Sequence, residues 1–129
     1  MASRLTELGV DCADPTALAR FWCSVLEYEV HDVDEADGTV TIGPPRALGG
    51  DRPGPVPPVL TFARVPEAKT VKNRLHLDVS PADREQSEEV RRLLDLGARY
   101  ADVGQGTESW VVLVDPEGNE FCVLAGRRP

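Results

Sequence analysis

Glu7-Leu8-Gly9-Val10-Asp11-Cys12-Ala13-Asp14 and His76-Leu77-Asp78-Val79-Ser80-Pro81-Ala82-Asp83 agree at leucine, valine, alanine and the final aspartate, four of eight positions. Each stretch opens on the apolar–polar alternation of a half-buried strand and ends on a residue suited to cap a helix. Behind the first, Asp14-Pro15 marks a helix start, proline being favoured at the first helical position. Leu18, Phe21, Trp22, Val25 and Leu26 then recur at the spacing of one apolar helical face. Behind the second, Asp83 is expected to cap a helix to about Leu96, with Val90, Leu93 and Leu94 inward and Glu88–Arg92 paired on the wet side. Gly97 falls where a helix C-terminal glycine belongs.

Working outward, each helix is followed by three strand patterns. In the first half these are Glu27 to Asp32, Thr39 to Ile42 after an Asp34–Gly38 turn, and Val59 to Val65. In the second they are Arg99–Val103, Ser109–Val114 and, beyond the turn Asp115-Pro116-Glu117-Gly118, Asn119 to Ala125. Thr61-Phe62 lies over Glu120-Phe121 near the two ends. The chain therefore reads as a duplicated β-α-β-β-β unit of the α+β class: two tandem modules, about 5–65 and about 74–125, forming a curved mixed sheet with a concave pocket. Residues 43–58 hold 10 Gly or Pro in 16 positions and read as a long loop.

Composition bounds the function. A chain of 129 residues is one domain by the usual prior. Its formal net charge of −8, with neither half basic, supplies no footprint for nucleic acid and disfavours an anionic membrane surface. No apolar run approaches membrane-spanning length, and Met1 to Val10 has no apolar signal core, so a cytoplasmic protein is expected. Cys12, Cys23 and Cys122 form no metal spacing and read as small hydrophobes.

Alternation also sorts the strand faces. Leu8 and Val10 oppose Glu7, Gly9 and Asp11; Leu75, Leu77 and Val79 oppose Arg74, His76 and Asp78; Phe121 and Val123 oppose Glu120, Cys122 and Leu124. If the helices cover the apolar faces, the ionisable faces turn toward a concavity. Such groups there must be paired, hydrated or metal-bound, which makes the hollow the candidate site. Trp110 alternates with Val112 and Val114, as pocket wall or as core. Lys69, Lys72 and Arg74 read either as an anion-holding corner or as a solvated approach to a strand.

The segments Asp11-Cys12-Ala13-Asp14-Pro15, Phe21-Trp22, Lys72-Asn73-Arg74-Leu75-His76-Leu77-Asp78 and Asp115-Pro116-Glu117-Gly118-Asn119-Glu120-Phe121 resemble those of the vicinal oxygen chelate superfamily, the glyoxalase and bleomycin-resistance proteins. The resemblance spans roughly residues 5–125 and implies a glyoxalase-like fold. By position it carries metal ligands onto Glu7, Thr61, His76 and Glu120, with threonine a poor ligand and Glu7 standing where histidine is frequent. The resemblance implies a divalent ion (Zn, Ni, Co, Mn or Fe) held by Glu7, His76 and Glu120, with Glu7 or Glu120 as general base. Thr61, Arg74, Asp78, Trp110 and Cys122 would line the substrate pocket.

Two functions follow from the resemblance: a metal-dependent lyase or isomerase acting on a small oxygenated metabolite, or a metal-free drug-binding protein of the bleomycin-resistance kind. Extradiol dioxygenase chemistry fits less well. It wants two histidines, and His31 falls after the first helix, away from the ligand positions. A homodimer is expected, since members of the superfamily commonly pair and two-module chains expose sheet edges.

Overall fold

The computed structural model of the protein describes residues 2–45, 58–102, 104 and 109–128. The chain divides into two compact units, Met1–Ala68 and Lys69–Pro129.

In the first unit the strands are β1 (Glu7–Cys12), β2 (Glu29–Asp34), β3 (Thr39–Gly43) and β4 (Val59–Arg64), with helix α1 (Pro15–Leu26) after β1. The sheet order is β1-β4-β3-β2, with β1 and β4 parallel and the other pairs antiparallel. Helix α1 begins as its sequence predicts. The Asp14 carboxylate accepts from the Ala17 N–H at 3.1 Å, and Pro15 opens the first turn. Its apolar stripe covers one face of the sheet: Leu18, Phe21, Trp22 and Val25 are buried with Val40, Ile42, Leu60 and Phe62. Phe21 and Trp22 meet edge to face at 5.3 Å, a favoured aromatic geometry.

The second unit repeats the plan with β5 (Leu77–Val79), α2 (Gln86–Leu96), β6 (Arg99–Tyr100), β7 (Val111–Val114) and β8 (Glu120–Val123), in the order β5-β8-β7-β6. Again the first and last strands run parallel. Val90 and Leu93 of α2 are buried with Leu113, Phe121 and Val123. Among the described residues the α+β duplication is thus present as two four-stranded mixed sheets, each with one helix. No helix among the described residues is long and apolar enough to cross a membrane.

Several sequence expectations need correction. Strand β5 begins at Leu77, not Arg74, and Leu75 is 81% exposed rather than inward. The preceding segment is drawn instead into side-chain bonds with the start of β8. Asp83 caps nothing: α2 starts at Gln86, behind Glu85, and Asp83 pairs with its neighbour Arg84. The helix pair is Glu89–Arg92 rather than Glu88–Arg92, because Glu89 lies on the buried side and draws Arg92 across. The last strand is shorter than Asn119–Ala125. Residues 46–57 of the 43–58 loop lie outside the described residues, as does Val103.

The repeat is also out of step. Leu8 pairs with Leu60, whereas Leu77 pairs with Phe121. If Leu8 corresponds to Leu77, then Phe121 corresponds to Leu60 and not to Phe62. A slip of two residues preserves the face of every side chain, because strands have period two. It changes which side chains are neighbours across the pair.

Candidate functional site

The turn before β8 sets its start. Asp115 is buried, and its Oδ1 accepts from the N–H groups of Glu117 and Asn119 at 2.9 and 3.0 Å. Asn119 returns its side-chain amide to the same carboxylate. Gly118 takes φ +87°, a conformation that only glycine enters cheaply. Strand β8 leaves this turn with Phe121 and Val123 in the core, and Glu120 and Cys122 on the other face.

That other face lines a pocket of about 380 Å³, formed by Lys72, His76, Asp78, Trp110, Val112, Glu120, Cys122 and Leu124. The volume lies within the usual range for small-molecule sites. Trp110, Val112 and Leu124 make an apolar wall; the rest is ionisable. Trp110, 39% exposed, is wall rather than core. Its approach is fixed from α2: the Gln86 amide donates to the carbonyls of Ser109 and Val123 at 2.9 and 3.0 Å.

Strand geometry brings three chemically distinct groups together. His76 and Asp78 are two residues apart, and their side chains meet, ring Nδ1 to Oδ1 at 2.9 Å. Asp78 pairs across the parallel ladder with Cys122. A ring nitrogen of His76, a carboxylate oxygen of Asp78 and the Cys122 sulfur all lie within 4.8 Å of one another. Burial, then the charge of Asp78 and a hydrogen bond to it, push the Cys122 thiol up, against a smaller pull from Lys72. Imidazole, carboxylate and thiolate are all ligands that a divalent ion accepts, so this face fits a metal by donor type.

Glu120 is differently engaged. Its Oε1 accepts from Lys69 Nζ at 2.8 Å and its Oε2 from the Asn73 N–H at 2.9 Å. Asn73 also donates its side-chain amide to Asn119. Burial would raise the Glu120 carboxyl, but the bonds from Lys69 and from the Asn73 N–H overcome it and hold the group below its ordinary range. Lys69 binds the Val71 carbonyl as well, so residues 69–73 are strapped to the start of β8. Lys72 lines the pocket while its ammonium donates to the Asn73 carbonyl at 3.2 Å.

Of the residues picked from sequence, His76, Asp78, Trp110, Glu120 and Cys122 share this pocket. Arg74 is exposed and outside its lining. Glu7 and Thr61 are together in the first unit, where the Thr61 hydroxyl donates to Glu7 Oε2 at 2.8 Å and contacts Thr41 Oγ1 at 3.1 Å. His31 bonds the Pro44 carbonyl through Nε2 at 2.8 Å, beside Gly43, where a Cβ would collide with its ring. It is a packing residue of β2. Val112 and Leu124 were not singled out for the site, although alternation already placed them with Trp110 and with Cys122.

The sequence matches the glyoxalase-like domain family over residues 7–124. No curated protein matches it significantly. Among solved structures, the fosfomycin resistance protein FosX from Mesorhizobium loti is 14% identical, with 98% of this chain and 94% of that chain covered at a TM-score of 0.66. A FosX variant from Listeria monocytogenes, complexed with Mn(II) and 1S,2S-dihydroxypropylphosphonic acid, is 14% identical, with coverages of 98% and 92% and a TM-score of 0.68. A glyoxalase/bleomycin resistance protein/dioxygenase family enzyme from Burkholderia phytofirmans is 16% identical, with coverages of 94% and 97% and a TM-score of 0.62. At these identities the likeness is one of fold.

Proposed function

Because the chain belongs to the glyoxalase-like domain family, within the vicinal oxygen chelate superfamily, we propose that it is a divalent-metal-dependent enzyme of the lyase or isomerase type, acting on a small oxygenated molecule in the pocket of the second unit. One observation carries this reading: a ligand-sized pocket in which imidazole, thiol, carboxylates and an ammonium face an apolar wall. The FosX neighbour with its Mn(II) and a phosphonate bearing adjacent hydroxyls supports both the metal and the substrate class.

A bound divalent ion would supply Lewis acidity toward neighbouring substrate oxygens. His76 is its nitrogen ligand in this proposal. The chain's other groups divide the remaining work. Trp110, Val112 and Leu124 exclude water from one side of the substrate. Lys72 offers a positive charge to an anionic substituent. Glu120, held below the ordinary carboxylate range, is a weak base; it keeps the 69–73 strap, and with it Lys72, at the pocket rim. The homodimer is proposed on the exposed Val30 and Val33 of edge strand β2 and Tyr100 of edge strand β6.

The test is turnover of a panel of small vicinal-oxygen compounds and epoxides by chelator-stripped protein, with and without added Mn, Fe, Co, Ni or Zn. Metal-dependent turnover lost in His76→Ala is the expected result. No turnover with any metal, together with thermal stabilisation of the metal-free protein by cationic antibiotics, would overturn it in favour of a drug-binding protein.

A further inference from the structure

Resting on the metal-dependent reading, we propose that the ion is held within the second unit by His76, Asp78 and Cys122, a nitrogen–oxygen–sulfur set that selects a zinc-like ion. The ligand positions implied by family resemblance (Glu7, His76 and Glu120) would give a nitrogen–oxygen set without sulfur.

Three observations carry it. The first is proximity: the three donor atoms lie within 4.8 Å of one another. In a tetrahedral zinc site the donors sit about 3.3–3.8 Å apart, given metal–ligand distances of about 2.0–2.3 Å. Small side-chain adjustments close the difference, since the His76 ring, just before β5, already meets Asp78, and Cys122 is the direct ladder partner of Asp78. The second is availability. Both oxygens of Glu120 are already committed, one to an ammonium and one to a backbone N–H, so an ion there must displace Lys69. His76 and Asp78 bond to each other instead, and an ion inserted between them replaces that contact with stronger ones. The third is openness. Three protein donors on a pocket wall leave a fourth position facing the cavity, the arrangement of a catalytic rather than a structural zinc site. A thiolate with an imidazole favours zinc or cobalt over the harder manganese and magnesium ions.

The experiment is titration of Co(II) into the full-length, chelator-stripped, reduced protein, read by absorption spectroscopy. The parent should show a thiolate-to-cobalt charge-transfer band in the near ultraviolet, together with the visible bands of a four-coordinate ion, and Zn(II) should bleach both. Cys122→Ser should abolish the ultraviolet band. Asp78→Asn should keep the band but weaken cobalt binding at least roughly tenfold, the smallest penalty usual for losing a residue that supports a metal. Glu120→Gln should keep both band and affinity. Cobalt bound without a sulfur band, or with an affinity that falls in Glu120→Gln but not in Asp78→Asn, overturns this ligand set and leaves the metal-dependent reading standing. No cobalt bound by the folded parent overturns both.

Discussion

Replacing Lys69 by methionine removes the ammonium that holds Glu120 and keeps most of the side chain's bulk. The two side chains are 20% and 12% exposed, so this pair belongs neither with surface ion pairs nor with fully buried ones. Exposed pairs contribute about 0–1 kcal/mol, and breaking a fully buried pair costs about 3–5 kcal/mol. A hydrogen bond to a charged group contributes about 1.5–3 kcal/mol, and that range is the expectation at neutral pH. The pH dependence checks the cause. In the parent the Glu120 carboxyl sits below its unfolded value, so its contribution is present above the ordinary carboxylate range and is lost as pH falls through the folded value. Without Lys69 the burial effect is opposed mainly by the Asn73 N–H, and the carboxyl moves up. The stability gap between parent and variant should therefore be widest near neutrality and close as pH falls below the ordinary carboxylate range and through the lowered folded value, where the carboxyl is protonated in both states. Urea unfolding of both proteins across that range is the assay. A gap below about 0.5 kcal/mol at neutral pH, the size of an ordinary surface substitution, would refute the strap. So would a gap that stays constant into acid.

Three further outcomes follow from the packing. Asp14→Ala should cost about 1 kcal/mol in denaturant unfolding through loss of the α1 cap, whereas Asp83→Ala, which removes no cap, should stay within about 0.5 kcal/mol of the parent. Gly118→Ala should destabilise by about 1 kcal/mol or more, since φ +87° is open to glycine and strained for alanine; the same change at Gly126, which has no such φ, should not. Phe121→Ala should cost about 3–5 kcal/mol by emptying the core behind the pocket, measured by the shift in unfolding midpoint at unchanged slope.

The fold was legible because its signals are local and repeated. Asp14-Pro15, the apolar stripe of α1 and the turn at Asp115–Gly118 are each decided within a few residues, and the repeated element order did the rest. The misreadings have a common physical origin. Arg74 to His76 alternates like a strand, but the Asn73 N–H just before it is taken by Glu120, and the preceding backbone is tied to the start of β8 rather than to a ladder. Asp83 and Glu85 are both acids near the start of α2, and periodicity does not tell which of them borders the first turn. Glu89 is buried despite its charge because Arg92 reaches it, an i, i+3 pairing that competes with the i, i+4 pairing to Glu88 on the solvent side.

The site was legible as a face and not as a set of neighbours. Alternation placed His76, Asp78 and Cys122 on one side of two strands, yet only the register joins Asp78 to Cys122 across 44 positions of sequence. The same register shows where the side chains of the two units differ. With β1 laid over β5, Gly9 stands where Asp78 does, and its ladder partner Thr61 stands where Cys122 does. A Cβ on Gly9 would meet nothing within 4 Å, so space does not explain the missing carboxylate. The duplicated scaffold offers the same strand face twice. The first unit fills it with a hydroxyl bonded to Glu7, while the second fills it with three groups of the kind that bind metals. Duplication of the fold therefore does not duplicate its side-chain chemistry: the residues at two ladder positions, Gly9 and Thr61 against Asp78 and Cys122, separate the two faces.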